Sequence, residues 1–391
     1  MILTYKYRLY TSKKNKHLHR MIDLSGYAWN HCIALHRRWY KLTGKHLNQY
    51  QLMKHLTKLK KTSRYGWMRN IPSQALQDIV QRIERSYQLF FRNLKAGTRT
   101  SPPRYRKVSK YRSYTLKQAG WKLLGDRRVQ IGKIAYRYVN DRKLSREAKI
   151  KTVTIKRDRL KRMYICFTLE EKRPKAGPMT GKMAGFDFGL RDFLTVHDGE
   201  RSYRVPSPCF FEQSVGEIRK ASRALSSKQP GSNNRAKARK KLARVHEKVA
   251  NRRRDFFFKL AHELTEAYDQ LIFEDLNMKG MQRLWGRKIG DYGFAEFLKI
   301  VMHMAEKKGK IVELISRWYP SSKTCHGCGY INTFQSLGED KWECPQCGLH
   351  LDRDENAAMN IYQVGASTCG GGDRRPVLAP AFAVDPRTPR L

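Results

Sequence analysis

Near its C-terminal end the sequence reads Cys325-His-Gly-Cys328, then Cys344-Pro-Gln-Cys347, and shortly afterwards Asp352-Arg-Asp-Glu-Asn-Ala-Ala358. A Cys-x-x-Cys turn presents two thiolates to one point, and tetrahedral Zn²⁺ needs four such ligands. Gly329 and Gly348 follow the two pairs closely, which favours a metal-binding ribbon over two redox-active dithiols. We therefore predict a structural zinc ribbon with Cys325, Cys328, Cys344 and Cys347 as its ligands, inserted directly before an acidic segment.

Two earlier segments also place acids in apolar surroundings. Asp187 lies in Ala184-Gly-Phe-Asp-Phe-Gly-Leu190, and Glu274 lies in Leu271-Ile-Phe-Glu-Asp-Leu276. A carboxylate within an apolar strand is costly without a partner, and a divalent cation can partner several carboxylates at once. With Asp354 as a third acid, two Mg²⁺ ions about 3.5–4 Å apart could activate water and stabilise the leaving oxygen of a phosphodiester. We predict Asp187, Glu274 and Asp354 as catalytic magnesium ligands.

Spacing alone leaves a choice open at two of these positions. Asp275 directly follows Glu274, and Asp352 precedes Asp354 by two residues. Each acid taken singly is typical of a strand end or a helix cap. The hypothesis of a nuclease site rests on three acids occurring in order, two of them inside apolar strands.

The composition indicates a polyanionic partner. Lys and Arg number 80 against 34 Asp and Glu, a formal net charge of +46. A compact fold with such an excess repels itself unless a polyanion neutralises it, which makes nucleic acid the expected partner. A membrane-surface protein would need a basic amphipathic helix or a lipidation signal, and neither is evident. The scattered remaining cysteines and the lack of an apolar leader favour a reducing compartment, so we expect a cytoplasmic protein.

Hydrophobic periodicity divides the chain. Residues 2–9 alternate as a strand, and apolar residues from 13 to 95 recur every three or four positions, as in amphipathic helices. Further strands are predicted at 113–117, 128–131, 151–156 and 163–169. After a linker at 174–182, residues 183–318 alternate strand and helix, which predicts an α/β sheet. From 366 to 391 there is no periodicity, and Gly and Pro are frequent, so this tail is predicted to be disordered.

Two basic segments are candidates for contact with nucleic acid. Residues 235–254 carry ten cations and a single acid, Glu247, a density of like charge that suits binding to phosphates. Residues 103–107 and 111–114 interleave cations with tyrosines, which suits backbone contact and base stacking. The candidate contact residues are Arg104, Arg106, Lys117, Lys240, Lys241, Arg252 and Arg253.

These motifs together resemble the TnpB family, transposon-encoded proteins similar to the type V CRISPR effectors. The residues that carry the resemblance are Gly185-Phe-Asp-Phe-Gly-Leu190, Phe273-Glu-Asp-Leu-Asn277, the two cysteine pairs and Asp352–Ala358. The resemblance extends from residue 1 to about 365. It implies a RuvC-type RNase H fold whose triad is Asp187, Glu274 and Asp354. It also implies one protein per guide RNA, a guide transcribed from the transposon end, and cleavage of double-stranded DNA beside a short transposon-adjacent motif. The location that it implies is the nucleoid in the cytosol of a bacterium or archaeon.

The resemblance implies a domain order as well. The expected order is a first wedge strand at 1–12, a helical recognition lobe at 13–95, a wedge β-barrel at 96–175, a RuvC-like domain with a basic helical insertion at 176–320, the zinc ribbon at 321–350, the last RuvC helix at 351–365 and the tail at 366–391. In similar proteins the helix start at Ser73-Gln-Ala-Leu-Gln77 touches the adjacent motif. Ser73, Gln74 and Gln77 are therefore candidates for recognising it.

Two other functions remain open at this point. A nuclease-inactive, RNA-guided repressor could use the same scaffold, but such proteins lose the triad that this sequence keeps. A transposase could perform strand transfer with the same acidic chemistry. We find none of the histidine pairs with a tyrosine nucleophile that partner transposases of these elements use, although an intact triad does not by itself exclude strand transfer.

Overall fold

The computed structural model describes residues 2–125, 127–139, 144, 149–171, 177–189, 191–276, 286, 292–333 and 339–368. Two compact units divide the chain, Met1–Lys172 and Arg173–Leu391. Within the described ranges, no helix has the length and apolar character that crossing a membrane would require.

The helical part of the first unit consists of three helices, α1 (Asn15–Thr43), α2 (Gln49–Leu59) and α3 (Ser73–Lys95). The predicted helical segment 13–95 is interrupted where local chemistry favours helix ends. Helix α1 ends at Gly44, which adopts the left-handed conformation that glycine tolerates best. Helix α2 begins at Asn48, whose side chain accepts a hydrogen bond from the backbone of the third helical residue in a capping box.

The strands of the first unit form two antiparallel sheets. The first has the order β1 (Ile2–Arg8), β7 (Met163–Glu170), β6 (Lys149–Arg157) and β2 (Ser113–Leu116). The second contains β3 (Trp121–Gly125), β4 (Arg128–Ile131) and β5 (Ile134–Arg137). An isolated bridge between Leu9 and Tyr138 connects the segments that follow β1 and β5. The predicted barrel is not confirmed, because the described strands belong to two sheets.

One core joins these helices to the four-stranded sheet. Trp29 of α1, Tyr7 of β1, Tyr114 of β2 and Phe167 of β7 are each at most 2% exposed and belong to the same apolar cluster. Burying a large apolar side chain contributes roughly 1.5–3 kcal/mol. The apolar stripe that predicts α3 from the sequence faces this core. Its buried members include Leu76, Ile79, Val80, Ile83 and Tyr87.

A mixed five-stranded sheet organises the second unit and confirms the predicted α/β class. Its order is β10 (Ser202–Pro206), β9 (Asp192–His197), β8 (Met183–Asp187), β11 (Gln270–Glu274) and β12 (Ile311–Ile315). Strands β8, β11 and β12 run parallel, while β9 pairs antiparallel with both β8 and β10. The carboxyl ends of the three parallel strands therefore meet at one edge of the sheet.

Helices cover both faces of this sheet. Among the described residues of this unit, the helices are α4 (Phe210–Ser226), α5 (Asn233–Ala267), α6 (Phe294–Lys308) and α7 (Arg353–Thr368). On one face, Phe186 and Phe273 pack with Phe257 of α5 and Phe297 of α6. On the other face, Ile272 packs with Ile361 of α7.

A small two-stranded sheet, β13 (Lys341–Glu343) and β14 (His350–Asp352), lies between β12 and α7 in the sequence. Helix α7 continues to Thr368, so it extends beyond the expected end at 365 into the start of the predicted tail. The rest of that tail, 369–391, lies outside the described residues, as does 174–176 of the predicted linker.

Candidate active site and metal centre

Asp187 and Glu274 are the last residues of two neighbouring strands. Parallel strands β8 and β11 are in a register that pairs Phe186 with Phe273, so the next residue on each strand is one of the two acids. Adjacent strands lie about 4.8 Å apart. Side chains alternate along a strand, and the two phenylalanines enter the core on one face. The two carboxylates therefore project from the opposite face, where α7 lies.

Asp354 reaches the same edge of the sheet from the first turn of α7. The helix approaches β8 closely because Gly185 has no side chain. A Cβ at Gly185 would lie 2.5 Å from the backbone oxygen of Ala358 and 2.5 Å from the nitrogen of Tyr362. An Oδ2 atom of Asp354 lies 3.7 Å from the Cβ position of Gly189, two residues beyond Asp187. The third acid thus faces the end of β8.

The three acids interact electrostatically. Burial, together with the nearby negative charges of Asp354 and Glu274, raises the pKa of Asp187 to about 8, while Arg353 acts in the opposite direction. The pKa of Glu274 is also raised, mainly by burial. Carboxylates that repel one another in a partly buried site are stabilised by a divalent cation, which supplies the missing positive charge. The residues present therefore fit the predicted magnesium site.

The structure distinguishes Glu274 from Asp275. Glu274 accepts a hydrogen bond from the Ser321 hydroxyl, with an oxygen–oxygen distance of 3.4 Å, and lies beside Asp187. Asp275 is beyond the strand end and forms an ion pair with Arg317, with one Nε–oxygen distance of 3.1 Å. Each of these acids has a polar partner, but the strand register places Glu274, and not Asp275, beside Asp187, so Glu274 is the better candidate for a metal ligand.

Asp352 and Asp354 also differ in role. The carboxylate of Asp352 accepts hydrogen bonds from the backbone N–H groups of Asp354 and Glu355, both at 3.2 Å, and pairs with Arg204 at 2.7 Å. Although burial opposes it, these partners lower the pKa of Asp352 below its usual range. Asp352 therefore caps the start of α7. Asp354 also has a cationic partner, Arg353 at 3.1 Å, but its carboxylate faces the end of β8 near Asp187.

Arg204 on β10 is a residue that the sequence analysis missed. Its guanidinium lies 2.7 Å from Asp352 and 3.1 Å from Glu355, the acids on either side of Asp354 in the acidic run. Arg204 therefore anchors the first turn of α7, and with it the position of Asp354. The sequence carries no signal for this role, because the partners are about 150 residues away and an isolated strand arginine is usually solvent-facing.

The four predicted zinc ligands converge. Cys325 Sγ lies 3.7 Å from Cys347 Sγ, and Cys328 Sγ lies 3.5 Å from Cys344 Sγ. Four sulfurs placed about 2.3 Å from one zinc ion in a tetrahedron would be about 3.8 Å apart, so the thiols fit a zinc ion. Gly329 and Gly348 adopt positive φ angles of 76° and 70°, which the two turns require.

The thiols are more tightly grouped than the carboxylates. Within the described ranges, the four cysteines are the only set of three or more potential ligands whose atoms all lie within 4.8 Å of one another. At least one pair among Asp187, Glu274 and Asp354 is therefore more widely separated. A site that holds two ions about 3.5–4 Å apart distributes its ligands over a larger space than a single-ion site does.

Two buried asparagines connect the ribbon to the last helix. Asn356 donates to the backbone oxygen of Thr324 at 2.7 Å and accepts from the backbone N–H of His326 at 2.9 Å. Asn360 donates to the oxygens of Ser321 at 2.8 Å and Thr324 at 2.6 Å. Both asparagines are 1% exposed. Asn356 belongs to the acidic motif in the sequence, but its partners are distant in the sequence, so its role is visible only in the fold.

The residues of the first unit that are predicted to contact nucleic acid differ in how free their side chains are to bind a ligand. Ser73 and Gln77 are exposed at the start of α3, whereas Gln74 accepts hydrogen bonds from the backbone of Lys117 at 2.7 Å and Ala119 at 3.2 Å. Gln74 therefore holds the loop after β2.

The segment around Arg104 and Arg106 is fixed to α1. Trp29 Nε1 donates to the backbone oxygen of Arg104 at 3.2 Å, and the Arg106 guanidinium lies 4.1 Å from the centre of the Trp29 ring. Asn30 pairs with the backbone of Arg106 through two hydrogen bonds of 2.8 Å. Both arginines are exposed on this fixed segment.

The basic segment of the second unit is the N-terminal part of α5. Lys240, Lys241 and Arg252 are exposed there. Arg252 lies 4.9 Å from the ring of Phe210. Arg253 is less exposed and pairs with Glu296 of α6 at 3.4 Å, so part of its charge serves helix packing.

Three family models match the chain. "OrfB_IS605: Probable transposase" matches residues 164–284, and "Cas12f1-like, TNB domain" matches 294–361. A third, "Helix-turn-helix domain", matches 1–45. The first model covers the strands that carry Asp187 and Glu274. The second covers all four cysteines and Asp354.

The chain is 30% identical over 383 residues to a protein of Streptomyces pristinaespiralis named "Putative RNA-guided DNA endonuclease". The alignment covers 95% of this chain and 91% of that protein. This chain belongs to the TnpB family. Another relative, "Putative RNA-guided DNA endonuclease InsQ" of Escherichia coli strain K12, is 24% identical over 91% of this TnpB chain and 90% of its own length. "TnpB-like protein L79" of Acanthamoeba polyphaga mimivirus is 34% identical over 55% of this chain and 43% of its own length.

A solved structure shares the fold of this TnpB protein. The "Cryo-EM structure of the Cas12f1-sgRNA-target DNA complex" aligns with a TM-score of 0.57 and 12% identity, over 90% of this chain and 83% of that one. In this TnpB chain the segment matched as a helix-turn-helix consists of strand β1 followed by the single helix α1.

Proposed function

We propose that this TnpB protein is an RNA-guided, Mg²⁺-dependent endonuclease that cleaves double-stranded DNA beside a short transposon-adjacent motif. The observation that carries the proposal is the meeting of Asp187, Glu274 and Asp354 at one edge of the β8–β11 sheet. Relatives that align over most of their length are named as RNA-guided DNA endonucleases, which supports the same activity.

In this mechanism Asp187, Glu274 and Asp354 would hold Mg²⁺. When bound, the metal supplies a Lewis acid for the phosphodiester and lowers the pKa of an attacking water. The chain itself orients the ligands. Ser321 donates a hydrogen bond to Glu274, Arg204 holds the acids that flank Asp354, and the strand register fixes Asp187 beside Glu274. The mechanism leaves Asp275 and Asp352 to their ion pairs.

Guide RNA and target DNA are the proposed partners, and one protein is proposed to bind one RNA transcribed from the transposon end. The excess of cations supplies sequence-independent contacts to both backbones, while base pairing with the guide selects the target. Arg104, Arg106, Lys117, Lys240, Lys241, Arg252 and Arg253 are proposed as backbone contacts. Exposed Ser73 and Gln77 are better placed than Gln74 to read the adjacent motif, because Gln74 already holds backbone partners.

We propose a structural role for zinc in the cysteine ribbon. The sulfur–sulfur distances of 3.5 and 3.7 Å match a tetrahedral site. Because Asn356 and Asn360 tie the ribbon to α7, zinc stabilises the helix that carries Asp354.

A plasmid-cleavage assay with the co-purified RNA and Mg²⁺ tests the nuclease proposal. We expect the wild type to linearise a plasmid that carries the target and its adjacent motif. Glu274→Gln and Asp354→Asn should abolish cleavage, whereas the matched neighbour Asp275→Asn should retain it. Equal cleavage by wild type and Glu274→Gln would refute the assignment of the site.

Two alternatives correspond to other outcomes of the same assay. Target binding without any cleavage by the wild type would identify a nuclease-inactive repressor. Products in which a DNA end is joined to a new strand would identify a transposase, the activity named in the family model for 164–284. The retained acids at 187, 274 and 354 favour the nuclease over the repressor.

A further inference from the structure

Trp318, which follows strand β12, has a side chain that the described residues leave almost entirely exposed. It is 87% exposed, the highest value among the large hydrophobic side chains of the described residues. Two other tryptophans, Trp39 and Trp342, are 36% and 8% exposed. Single exposed apolar residues are common on proteins. Trp318 differs from them because of where its loop is attached.

The loop around Trp318 is held on both sides by residues that contact Glu274 or Asp275. Arg317, directly before it, pairs with Asp275. Ser321, three residues after it, donates a hydrogen bond to Glu274. The loop backbone is also ordered internally, since Ser316 accepts from the backbone N–H groups of Trp318 and Tyr319 at 3.3 and 3.1 Å. The indole is therefore carried by a fixed turn.

This turn lies at the edge of the sheet where the candidate active site is found. Ile315, the last residue of β12, pairs with Glu274 of β11. Trp318 follows Ile315 by three residues, a span of at most about 11 Å along an extended chain. In open α/β sheets, ligands bind beyond the carboxyl ends of the parallel strands. A DNA strand that brings a phosphate to the acids therefore passes close to this indole.

We propose that Trp318 is a binding platform on which a base of the single-stranded DNA stacks next to the phosphate to be cut. The inference rests on the proposed nuclease function and adds a residue that orients its substrate. Every base has an aromatic face, so stacking suits an enzyme that must cut any sequence the guide selects. Such a platform keeps the strand from sliding without reading its sequence.

Three substitutions separate stacking from simple hydrophobic contact. Trp318→Ala removes the side chain, Trp318→Leu keeps an apolar group without a ring, and Trp318→Phe keeps an aromatic ring. Tyr50→Ala, at another exposed aromatic residue (74% exposed, on α2), is the control for losing exposed aromatic surface. Since Trp318 is so exposed, all three variants should unfold within a few degrees of the wild type.

The measurement is the affinity for a short single-stranded DNA oligonucleotide. Full-length protein with its co-purified RNA carries Glu274→Gln in every case, so that the oligonucleotide is not cut. We expect Trp318→Ala and Trp318→Leu to weaken binding by roughly 5- to 100-fold, the range for losing one stacked base. Trp318→Phe and Tyr50→Ala should remain within about threefold of the parent, because each leaves a ring at 318. The parent's tryptophan emission should be quenched by the oligonucleotide, and that of Trp318→Phe should be quenched less.

Two results would overturn the platform. Equal affinity of Trp318→Ala and the parent would show that the indole does not touch the strand. Equal loss in Trp318→Leu and Trp318→Phe would show that a ring at this position is not what matters. Failure of the stacking proposal can be told apart from failure of the nuclease proposal. The nuclease proposal is tested by plasmid cleavage with proteins that keep Trp318.

Discussion

At the residue scale, the raised pKa of Asp187 predicts a pH-dependent stability. Its pKa in the fold is about 8, against about 4 for an unfolded aspartate. Between these values the folded protein binds more protons than the unfolded chain, so stability falls as pH rises from about 4 to about 8. Asp187→Asn removes this effect. With zinc in the ribbon and no other divalent cation in the buffer, we expect the variant to be more stable than wild type at pH 8 by several kcal/mol, since each unit between the two pKa values contributes about 1.4 kcal/mol.

Thermal unfolding of the two proteins at a series of pH values measures this difference. The advantage of Asp187→Asn should shrink as the pH falls and disappear below about pH 4, where the wild-type carboxyl is protonated in both states. Added Mg²⁺ should raise the melting temperature of the wild type and leave that of Asp187→Asn nearly unchanged. A wild type that is the more stable protein at pH 8 without magnesium would contradict the electrostatic argument.

Arg204 carries a second prediction at this scale. Without its guanidinium, Asp352 and Glu355 lose the cation that holds them at 2.7 and 3.1 Å, and the start of α7 is less well fixed. A charged hydrogen-bond partner contributes about 1.5–3 kcal/mol. We expect Arg204→Ala to lower the cleavage rate by roughly 10- to 100-fold, with RNA affinity unchanged.

Arg204→Lys should restore part of the rate, since it keeps the charge but only one donor group. The matched control is Arg201→Ala, which removes an exposed arginine whose distance to Asp198 is 3.7 Å. Wild-type cleavage by Arg204→Ala, or equal losses in Arg204→Ala and Arg201→Ala, would exclude a positioning role.

The sequence predicts the identities of the acids better than their partners. Asp187 and Glu274 stand out because each is a charge in an apolar strand, a pattern visible in the letters alone. The roles of Asp275 and Asp352 depend on Arg317 and Arg204, which come from other elements. Such long-range pairs follow from tertiary packing, which the local pattern does not encode.

At the element scale, the connection between the ribbon and α7 predicts that the two are stabilised together. Asn356→Ala leaves the buried oxygen of Thr324 with fewer donors and removes the acceptor for the His326 N–H. Each unsatisfied buried polar group costs about 1–3 kcal/mol. We expect Asn356→Ala to lower the melting temperature, to weaken zinc retention, and to reduce cleavage.

The zinc content of each variant, measured by elemental mass spectrometry, is compared with its cleavage rate to test whether the ribbon and α7 are stabilised together. Cys344→Ala should lose zinc and cleavage together. Gln363→Ala is the matched control, because this exposed residue on the same helix donates to His326 at 3.3 Å without being buried. Full cleavage by a zinc-free Cys344→Ala protein would separate the ribbon from the active site.

Predicted elements with strong periodicity are found in the structure, whereas the short strands were predicted only in part. The apolar stripe of α3 and the alternating strand β7 are found where the sequence predicts them. Strands β3 and β5 have five and four residues, and the sequence analysis did not predict them. Strands of four or five residues present few alternating positions, so β4 was predicted at 128–131 while β3 and β5 were not. The number and closure of the sheets in the first unit could therefore not be predicted.

At the scale of the whole molecule, the net charge of +46 predicts RNA binding that weakens steeply with salt. Each phosphate that a cation neutralises releases counterions, so the logarithm of the binding constant falls linearly with the logarithm of salt concentration, by roughly 0.7–0.9 per contact. Lys240 and Lys241 lie exposed on α5 among like charges. The double variant Lys240→Ala/Lys241→Ala should reduce the magnitude of this slope by roughly 1.4–1.8.

The control for this measurement is Lys259→Ala on the same helix. Lys259 is also exposed, but it already pairs with Asp255 at 2.9 Å. Lys259→Ala should therefore change the number of counterions released on RNA binding, and with it the slope, less than the double variant does. Guide-RNA affinity measured from about 50 to 500 mM salt gives the three slopes. A smaller slope for Lys240→Ala/Lys241→Ala than for Lys259→Ala or the wild type would show that the cations of α5 bind phosphates. A slope for the double variant equal to that of the wild type would mean that the cations of α5 face solvent in the complex, and the polyanion would have to bind elsewhere on the protein.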